Sequence, residues 1–350
     1  MHRVYILEQG TYLRKSGNNL ILVKDRTTVD EVPLPQLEHL VLAGFISLSG
    51  AVINALVQHR VETVHLDRNF RFRARLHVDE HKHVQRRQSQ YLQLSQQGFC
   101  IQTARSIVSA KLSHQARFLQ IKGRQSGSNA LLSWAAAIRA IAKGVGQAGD
   151  MELIRGAEGH GSRLYFQAFA HLIKNPGFEF QGRNRRPPLD PVNAMLSFCY
   201  TLLTNEVLTA IKIAGLDPYL GSLHEVAYGR PSLACDLVEE WRTFVVDRLV
   251  LGLINSHSIG PDDFVNRAPG DLDFVDEQDL KSKRPVELKP GPRKALVEAY
   301  EKWMDKKIQD PNQGDSTSHR QHILRQVRLF SAYLNGETES YAPFPWSSIR

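Results

Sequence analysis

The spacing of apolar residues changes period once along this chain, from two to 3.6, and that change limits the architectures open to it. Up to about residue 76 the runs VYILEQG, TYLRKSGNNLILVKD and TTVDEVPLP are short and β-prone, with Ser16-Gly17-Asn18-Asn19 suited to a hairpin turn. One helix interrupts them. Ser47-Leu48-Ser49-Gly50 leads into AVINALVQH, where Val52, Leu56 and His59 recur at helical spacing. VETVHLD returns to strand, and residues 77–98 are polar, Gln/His-rich and read as a linker or connecting helix. From residue 99 onward the spacing is helical: FCIQTARSIVSAKLSHQARFLQIKGR, LLSWAAAIRAIAK, 150–174, 190–214, 232–254, 293–307 and 319–334. Gln309 to Ser318 reads as a flexible joint before the last of these. Strands followed by helices give an α+β chain: a small N-terminal β-rich domain over 1–76, a connecting segment over 77–98, and a larger all-α domain over 99–350.

The balance of charge is basic. Lys and Arg number 44 against 36 Asp and Glu, a net charge of +8, which suits a polyanionic partner such as nucleic acid as well as it suits a merely basic soluble protein. Distribution decides more than the total. Phe70-Arg71-Phe72-Arg73-Ala74-Arg75-Leu76 alternates strictly, so Arg71, Arg73 and Arg75 share one strand face. That face is either a solvated outer surface or a row able to follow a phosphate backbone.

Cys100, Cys199 and Cys235 are far apart, with no paired spacing for zinc or redox chemistry, and read as buried free thiols of a reducing cytoplasm. No apolar run approaches the roughly 18 residues of a membrane span, and MHRVYILEQG lacks the features of a signal peptide, so a cytoplasmic protein without a membrane partner is expected. His77, His81 and His83, with Asp79 and Glu80, read as solvated side chains of the connector rather than as a metal site. Gly144-Val145-Gly146-Gln147-Ala148-Gly149 matches a dinucleotide fingerprint literally, but it follows a helix rather than a strand and reads as a helix-ending turn. Neither a phosphate-binding G-x-x-x-x-G-K-[ST] nor H-E-x-x-H nor G-x-S-x-G occurs.

Two segments break the rules of helix composition. Arg155-Gly156-Ala157-Glu158-Gly159-His160-Gly161-Ser162-Arg163 puts three glycines in a helical pattern, each costing about 0.8–1 kcal/mol relative to alanine. Such a violation is expected where a ligand or another backbone comes close. The second is Leu223-His224-Glu225 with Gly229-Arg230-Pro231, running into SLACDLVEEWR with Ser232 placed to cap a helix. On a regular helix Asp236, Glu239 and Glu240 share a sector roughly 100° wide. They form either an acidic face paired with neighbouring Arg or Lys, or a site whose mutual repulsion a divalent cation relieves. Between these segments Gly182-Arg183-Asn184-Arg185-Arg186-Pro187-Pro188 holds three arginines on a proline-stiffened loop, either suited to gripping phosphates or simply solvated.

Taken in order, RGAEGHGSRLYF, RNRRPPLDPVNAMLSFCYTLL, GLDPYLGSLHE and LACDLVEEWR resemble the CRISPR-associated integrase of the adaptation machinery, the catalytic subunit that inserts new spacers into CRISPR arrays. TYLRKSGNNLILV, FISLSGAVINALVQHRVETVHLD and LKPGPRKALVEAYEKW extend the resemblance over almost the whole chain. Cys235, Trp241 and Thr243 depart from the family pattern, where an aliphatic residue, a phenylalanine and a proline are usual; these touch packing rather than ligands.

The resemblance implies a β-rich dimerisation domain and a helical catalytic domain. It also implies a metal site on Glu158, His224 and Glu239, with Asp236 as an additional or alternative acidic ligand, and Mg²⁺ or Mn²⁺ as the metal. The implied partners are double-stranded DNA, a second copy of the chain and a small dimeric partner subunit. Arg183, Arg185, Arg186, Arg71, Arg73 and Arg75 are then the candidates for holding the DNA backbone. The implied reaction is attack by the 3′-hydroxyl of a captured fragment on a phosphodiester of the array. Two alternatives stand beside it: a general metal-dependent nuclease acting on branched repair intermediates, and a non-catalytic DNA-binding scaffold.

Overall fold

The N-terminal strands follow from alternation. In β2 (Tyr12–Ser16), Leu13 is fully buried between exposed Tyr12 and Arg14, and the Gly17-Asn18 turn reverses the chain into antiparallel β3 (Asn19–Lys24). In the computed structural model, described for residues 2–67, 72–76, 83–184, 187–266, 285–310 and 314–346, the chain divides into two compact units, 1–82 and 83–350.

The first unit holds two four-stranded sheets. One runs β4 (Thr27–Pro33), β3, β2, β6 (Ser47–Leu48); the other runs β1 (His2–Ile6), β5 (Leu37–Ala43), β7 (Glu62–Leu66), β8 (Phe72–Leu76). Ser49 caps α1 (Gly50–Gln58) through its hydroxyl and the Val52 N–H, and Val52, Ala55 and Leu56 join Leu13, Leu20, Leu40 and Leu42 in one core. Strand β8 does not carry a free arginine row. Arg75 stands opposite Val64 on antiparallel β7, which puts Glu62 on the same face, and its Nε lies 2.8 Å from Glu62 Oε1 with the side chain 4% exposed. Arg73 reaches Asp67 at 3.2 Å. Arg71 lies outside the described residues, as do His77, Asp79, Glu80 and His81.

The second unit is helical. α2 (Val84–Leu94), inside the segment read as a connector, is docked: Gln90 bonds the backbone of Asp217 and Leu220, and Arg86 donates to the Ala214 carbonyl at 2.9 Å. α3 (Gln97–Ser126) ends at Gly127, whose φ of 66° suits a residue without Cβ. α4 (Asn129–Val145) ends at the glycine-rich run, as its position after a helix implies. Asp150 and Asp190 cap α5 (Met151–Ala170) and α6 (Pro191–Ile213) by accepting from the Leu153 and Asn193 N–H groups, each at 2.8 Å. By length and composition α6 is apolar enough to cross a membrane, but 72% of its most apolar window is buried inside the structure, as in a core helix. Cys199 on α6 is buried, whereas Cys100 and Cys235 are half-buried.

The expected single helix over 232–254 is three pieces. α7 (Ser232–Val238) gives way to a turn, then to a π-helical segment (Arg242–Asp247), then to α8 (Arg248–Asn255). Ser232 does not cap α7; Pro231 takes that position and the serine hydroxyl donates to the Glu225 carbonyl at 2.9 Å. Further on come the paired short strands β9 (Phe264–Asn266) and β10 (Val286–Leu288), then α9 (Pro290–Asp305). The segment read as a flexible joint, Gln309 to Ser318, is ordered at both ends: Gln309 ends β11 (Lys307–Gln309), which pairs with β12 (Ser316–Ser318) inside the segment. A capping box of Ser318 and Gln321 then opens α10 (His319–Leu334). Beyond α10, Tyr341, Phe344 and Trp346 are buried, and Phe344 stacks on Trp241 with ring centroids 4.4 Å apart.

Candidate active site

Helix α5 comes close to α3 where Gly161 faces Leu112: a Cβ at Gly161 would sit 2.4 Å from Leu112 Cδ2. That close approach brings Glu158, one turn earlier on α5, against Lys111 of α3. Lys111 Nζ bonds Glu158 Oε1 and lies 2.7 Å from Glu239 Oε2 at the end of α7. The lysine side chain is 4% exposed, Glu239 6% and Glu158 26%, so the cluster is buried on one side and open on the Glu158 side. Glu158 also accepts from Ser162 Oγ at 3.1 Å, and Glu239 Oε1 accepts from Arg242 Nη1 at 2.7 Å. Arg242 in turn lies over the Tyr200 ring at 4.0 Å, and Tyr165 and Tyr200 both donate to buried Asp247.

Two opposed effects set the charge state here. Burial alone pushes the Glu239 carboxyl up, but Arg242 and Lys111 outweigh it and hold the group well below the usual carboxylate range, with a smaller lowering from His224. Glu158 behaves alike: burial raises it, Lys111 lowers it more, and Glu239 pushes it back up. Both carboxyls are therefore ionised near neutrality.

His224 sits on the loop between α6 and α7, and Asp236 fixes it there. Asp236, fully buried, accepts from the backbone N–H of Ser222, Leu223 and His224 at 2.5, 2.9 and 3.0 Å, and from the Ser222 hydroxyl at 3.2 Å. Its Oδ1 also faces His224 Nδ1 at 2.8 Å. With a carboxylate as acceptor, Nδ1 is the ring nitrogen that donates to Asp236. Gly221 permits the close turn, since a Cβ there would meet Asp236 Oδ2 at 2.5 Å.

The residues singled out from sequence are thus brought together unevenly. Glu158 and Glu239 converge on one point, the Lys111 ammonium, whereas His224 is held by Asp236. Asp236 is engaged with the 222–224 loop instead, and Glu240 accepts from the Tyr341 hydroxyl and from the Phe344 N–H at 2.9 Å. The shared sector expected for Asp236, Glu239 and Glu240 is not formed, because the chain leaves regular α-helix after Val238 and each carboxylate has its own donors. Among the described residues no three His, Cys, Asp or Glu side chains stand together as a ready metal cage. Lys111 occupies the meeting point. Arg183 folds back on α6, donating to Asn193 Oδ1 at 2.7 Å and Ser197 Oγ at 2.9 Å, with the Tyr200 ring 5.4 Å away. Arg185 and Arg186 lie outside the described residues. Lys111 and Arg242 were not singled out from sequence. The signal for Lys111 is a lysine on the buried stripe of Ile107, Val108, Leu112 and Gln115.

The family model described as CRISPR associated protein Cas1 matches residues 4–302. The chain belongs to the Cas1 family. The matched span contains Lys111, Glu158, His224 and Glu239, while α10 and the tail that packs on Trp241 lie beyond it. A CRISPR-associated endonuclease Cas1 from Chlorobaculum tepidum is 32% identical over 352 residues, covering 99% of this chain and 98% of the relative. Among solved structures, a casposase bound to an integration product superposes with a TM-score of 0.80 at 22% identity, covering 98% of this chain and 93% of that one. A Cas6-RT-Cas1–Cas2 complex gives 0.81 at 21% identity, covering 98% of this chain and 36% of the longer one. At those identities the likeness is one of fold: the β-sheet unit followed by helices is the Cas1 fold, and the chain is α+β.

Proposed function

We propose that this Cas1-family chain is a metal-dependent DNA integrase and endonuclease, joining captured DNA fragments into a CRISPR array. The observation that carries it is the convergence of Glu158 and Glu239 on one cationic point. Two ionised carboxylates already gathered around an ammonium, with an imidazole whose Nε2 is left as donor, make a set of hard oxygens plus one nitrogen. That set fits Mg²⁺ or Mn²⁺, and the nitrogen tilts it toward Mn²⁺. Glu158, His224 and Glu239 would hold the ion, and Asp236 would orient His224. Bound there, the ion supplies polarisation of a phosphoryl oxygen and stabilisation of the departing one.

The chain's own residues do the rest. Lys111 keeps both carboxylates ionised, Arg242 adds to this at Glu239, and Asp236 orients the imidazole. Gly156 and Gly159 of the same helix as Glu158 are exposed, with nothing within 4 Å of an added Cβ. In the joining step the fragment's 3′-oxygen gives up its proton and bonds to phosphorus. The P–O bond to the displaced 3′-oxygen breaks, and that oxygen takes up a proton. One P–O bond replaces another, so no nucleotide hydrolysis is required.

The partners proposed are duplex DNA, a second copy of the chain associating through the unit at 1–82, and a small dimeric subunit of the kind that accompanies Cas1 in the Cas1–Cas2 neighbour. Light scattering on an 83–350 fragment checks the second: a stable dimer from that fragment moves the association surface elsewhere. For the chemistry, Glu158→Ala, His224→Ala and Glu239→Ala are each expected to abolish joining in a strand-transfer assay while gel shifts show DNA binding nearly intact. Wild-type joining by all three refutes the site. A donor lacking its 3′-hydroxyl separates integration from general nuclease action on branched DNA, since only joining requires that group.

A further inference from the structure

Lys111 takes no part in the chemistry above beyond its charge, yet it stands where a divalent ion would stand. Its ammonium bonds Glu158 Oε1 and approaches Glu239 Oε2 at 2.7 Å, while the other Glu239 oxygen is held by Arg242. The stem runs along the buried stripe of α3, between Val108 and Leu112, and leaves the side chain 4% exposed. A buried lysine stays charged only with anionic partners. The two carboxylates need a cation between them for the same reason: burial works to raise both, and Glu239 raises Glu158 further.

We propose that Lys111 is a resident counter-cation for the Glu158–Glu239 pair, and that a divalent metal must displace it, so that metal loading and these two ion pairs exclude one another. The proposal rests on reading those glutamates as ligands. A metal such as Mg²⁺ bonds carboxylate oxygens at about 2.0–2.1 Å along the lone pairs the ammonium now uses, and a cation of charge +2 repels an ammonium left within about 4 Å of it. Lysine suits the role through its flexible four-carbon stem, which can withdraw the charge without moving α3. The lysine thus keeps the carboxylates gathered before metal arrives, and it sets a threshold that metal must pass.

The experiment compares Lys111→Met and Lys111→Arg with the wild-type full-length chain in two measurements: melting in metal-free buffer, and titration with Mn²⁺ followed by the paramagnetic signal of the free ion. Lys111→Met is expected to melt lower without metal, to bind Mn²⁺ at least about tenfold more tightly, and to gain more melting temperature from Mn²⁺ than the wild type does. Lys111→Arg, which keeps the charge, is expected to show no tightening. If Lys111→Met does not fold without metal, Lys111→Gln, which can still hydrogen-bond both carboxylates, carries the same titration. Unchanged or weaker Mn²⁺ binding in the neutral variants overturns the proposal. Glu158→Gln and Glu239→Gln in the same titration keep the two ideas apart: if they lose no Mn²⁺ affinity, the ligand assignment itself has failed.

Discussion

One oxygen of Asp236 holds His224 twice, accepting its backbone N–H at 3.0 Å and facing its ring Nδ1 at 2.8 Å. The loop and the ring are therefore set by a single side chain, so the direction of Nε2 depends on a residue that offers no donor of its own to the site.

Replacing Asp236 by asparagine tests this division of labour. An amide in its place can present NH₂ to Nδ1, which moves the ring proton to Nε2 and blocks it as a donor. Mn²⁺ affinity is expected to fall about 10- to 100-fold, the usual cost of losing such an orienting partner, while DNA affinity in gel shifts stays close to wild type. Metal binding as tight as wild type would mean that Asp236 merely holds the 222–224 loop in shape.

Arg183 is expected to act on stability rather than on DNA. Its guanidinium is occupied by Asn193, Ser197 and the Tyr200 ring. Arg183→Ala should cost about 2 kcal/mol in folding, the scale of charged hydrogen bonds lost in a partly buried place, with the salt slope of DNA binding unchanged. Arg183, Arg185 and Arg186 together would account for a slope of about 2.7 if all three touched phosphates, and about 1.8 if Arg183 does not. Salt titrations of the single and triple alanine variants, with melting curves alongside, distinguish these values.

Glu240 gives the helical unit a pH dependence opposite in sign to that of its neighbour Glu239. Burial pushes its carboxyl up to about 7 from an ordinary 4.5, against the hydrogen bonds from Tyr341 and Phe344. Between those values the folded chain holds a proton that the unfolded chain has released, so this group's contribution is full below about 4.5 and is lost as pH rises through about 7. Glu239, held low, contributes in the opposite sense, and its contribution does not change across this window. Glu240→Gln keeps the acceptor and removes the titration. The stability of wild type relative to this variant is expected to decline between pH 5 and pH 8, measured by melting at several pH values. A difference that stays flat across that range removes Glu240 as the source.

The layout of the chain was legible because apolar spacing reports burial directly: Leu13 against Tyr12 and Arg14 in a strand, and Ile107, Val108 and Leu112 along α3. Caps at Ser49, Asp150 and Asp190 lay where their residue types imply. The course of the chain after Val238 was not legible, since a π-helical segment changes the hydrogen-bond register without altering which residues are apolar. On a uniform helix Asp236, Glu239 and Glu240 fall on one side; in the structure they meet the 222–224 loop, Lys111 and the C-terminal tail. Arginine roles were hard to read for a related reason. Whether Arg75 or Arg183 faces solvent depends on the fold placing Glu62 or Asn193 beside it, and charge patterning along the chain does not contain that information.

The contact between Gly161 and Leu112 gives the site a mechanical setting. Helix α5 rests on α3 through a missing methyl group, three residues from Glu158 and one residue from Lys111. Adding that methyl would act as a shim. The two helices would part, or Leu112 would shift in a core that leaves it no exposed surface, and either response alters the gap across which Lys111 and Glu158 face each other. The spacing of the carboxylate pair is therefore adjustable from a position that bears no charge and no donor atom, so a silent-looking glycine governs the width of the gap that Lys111 spans.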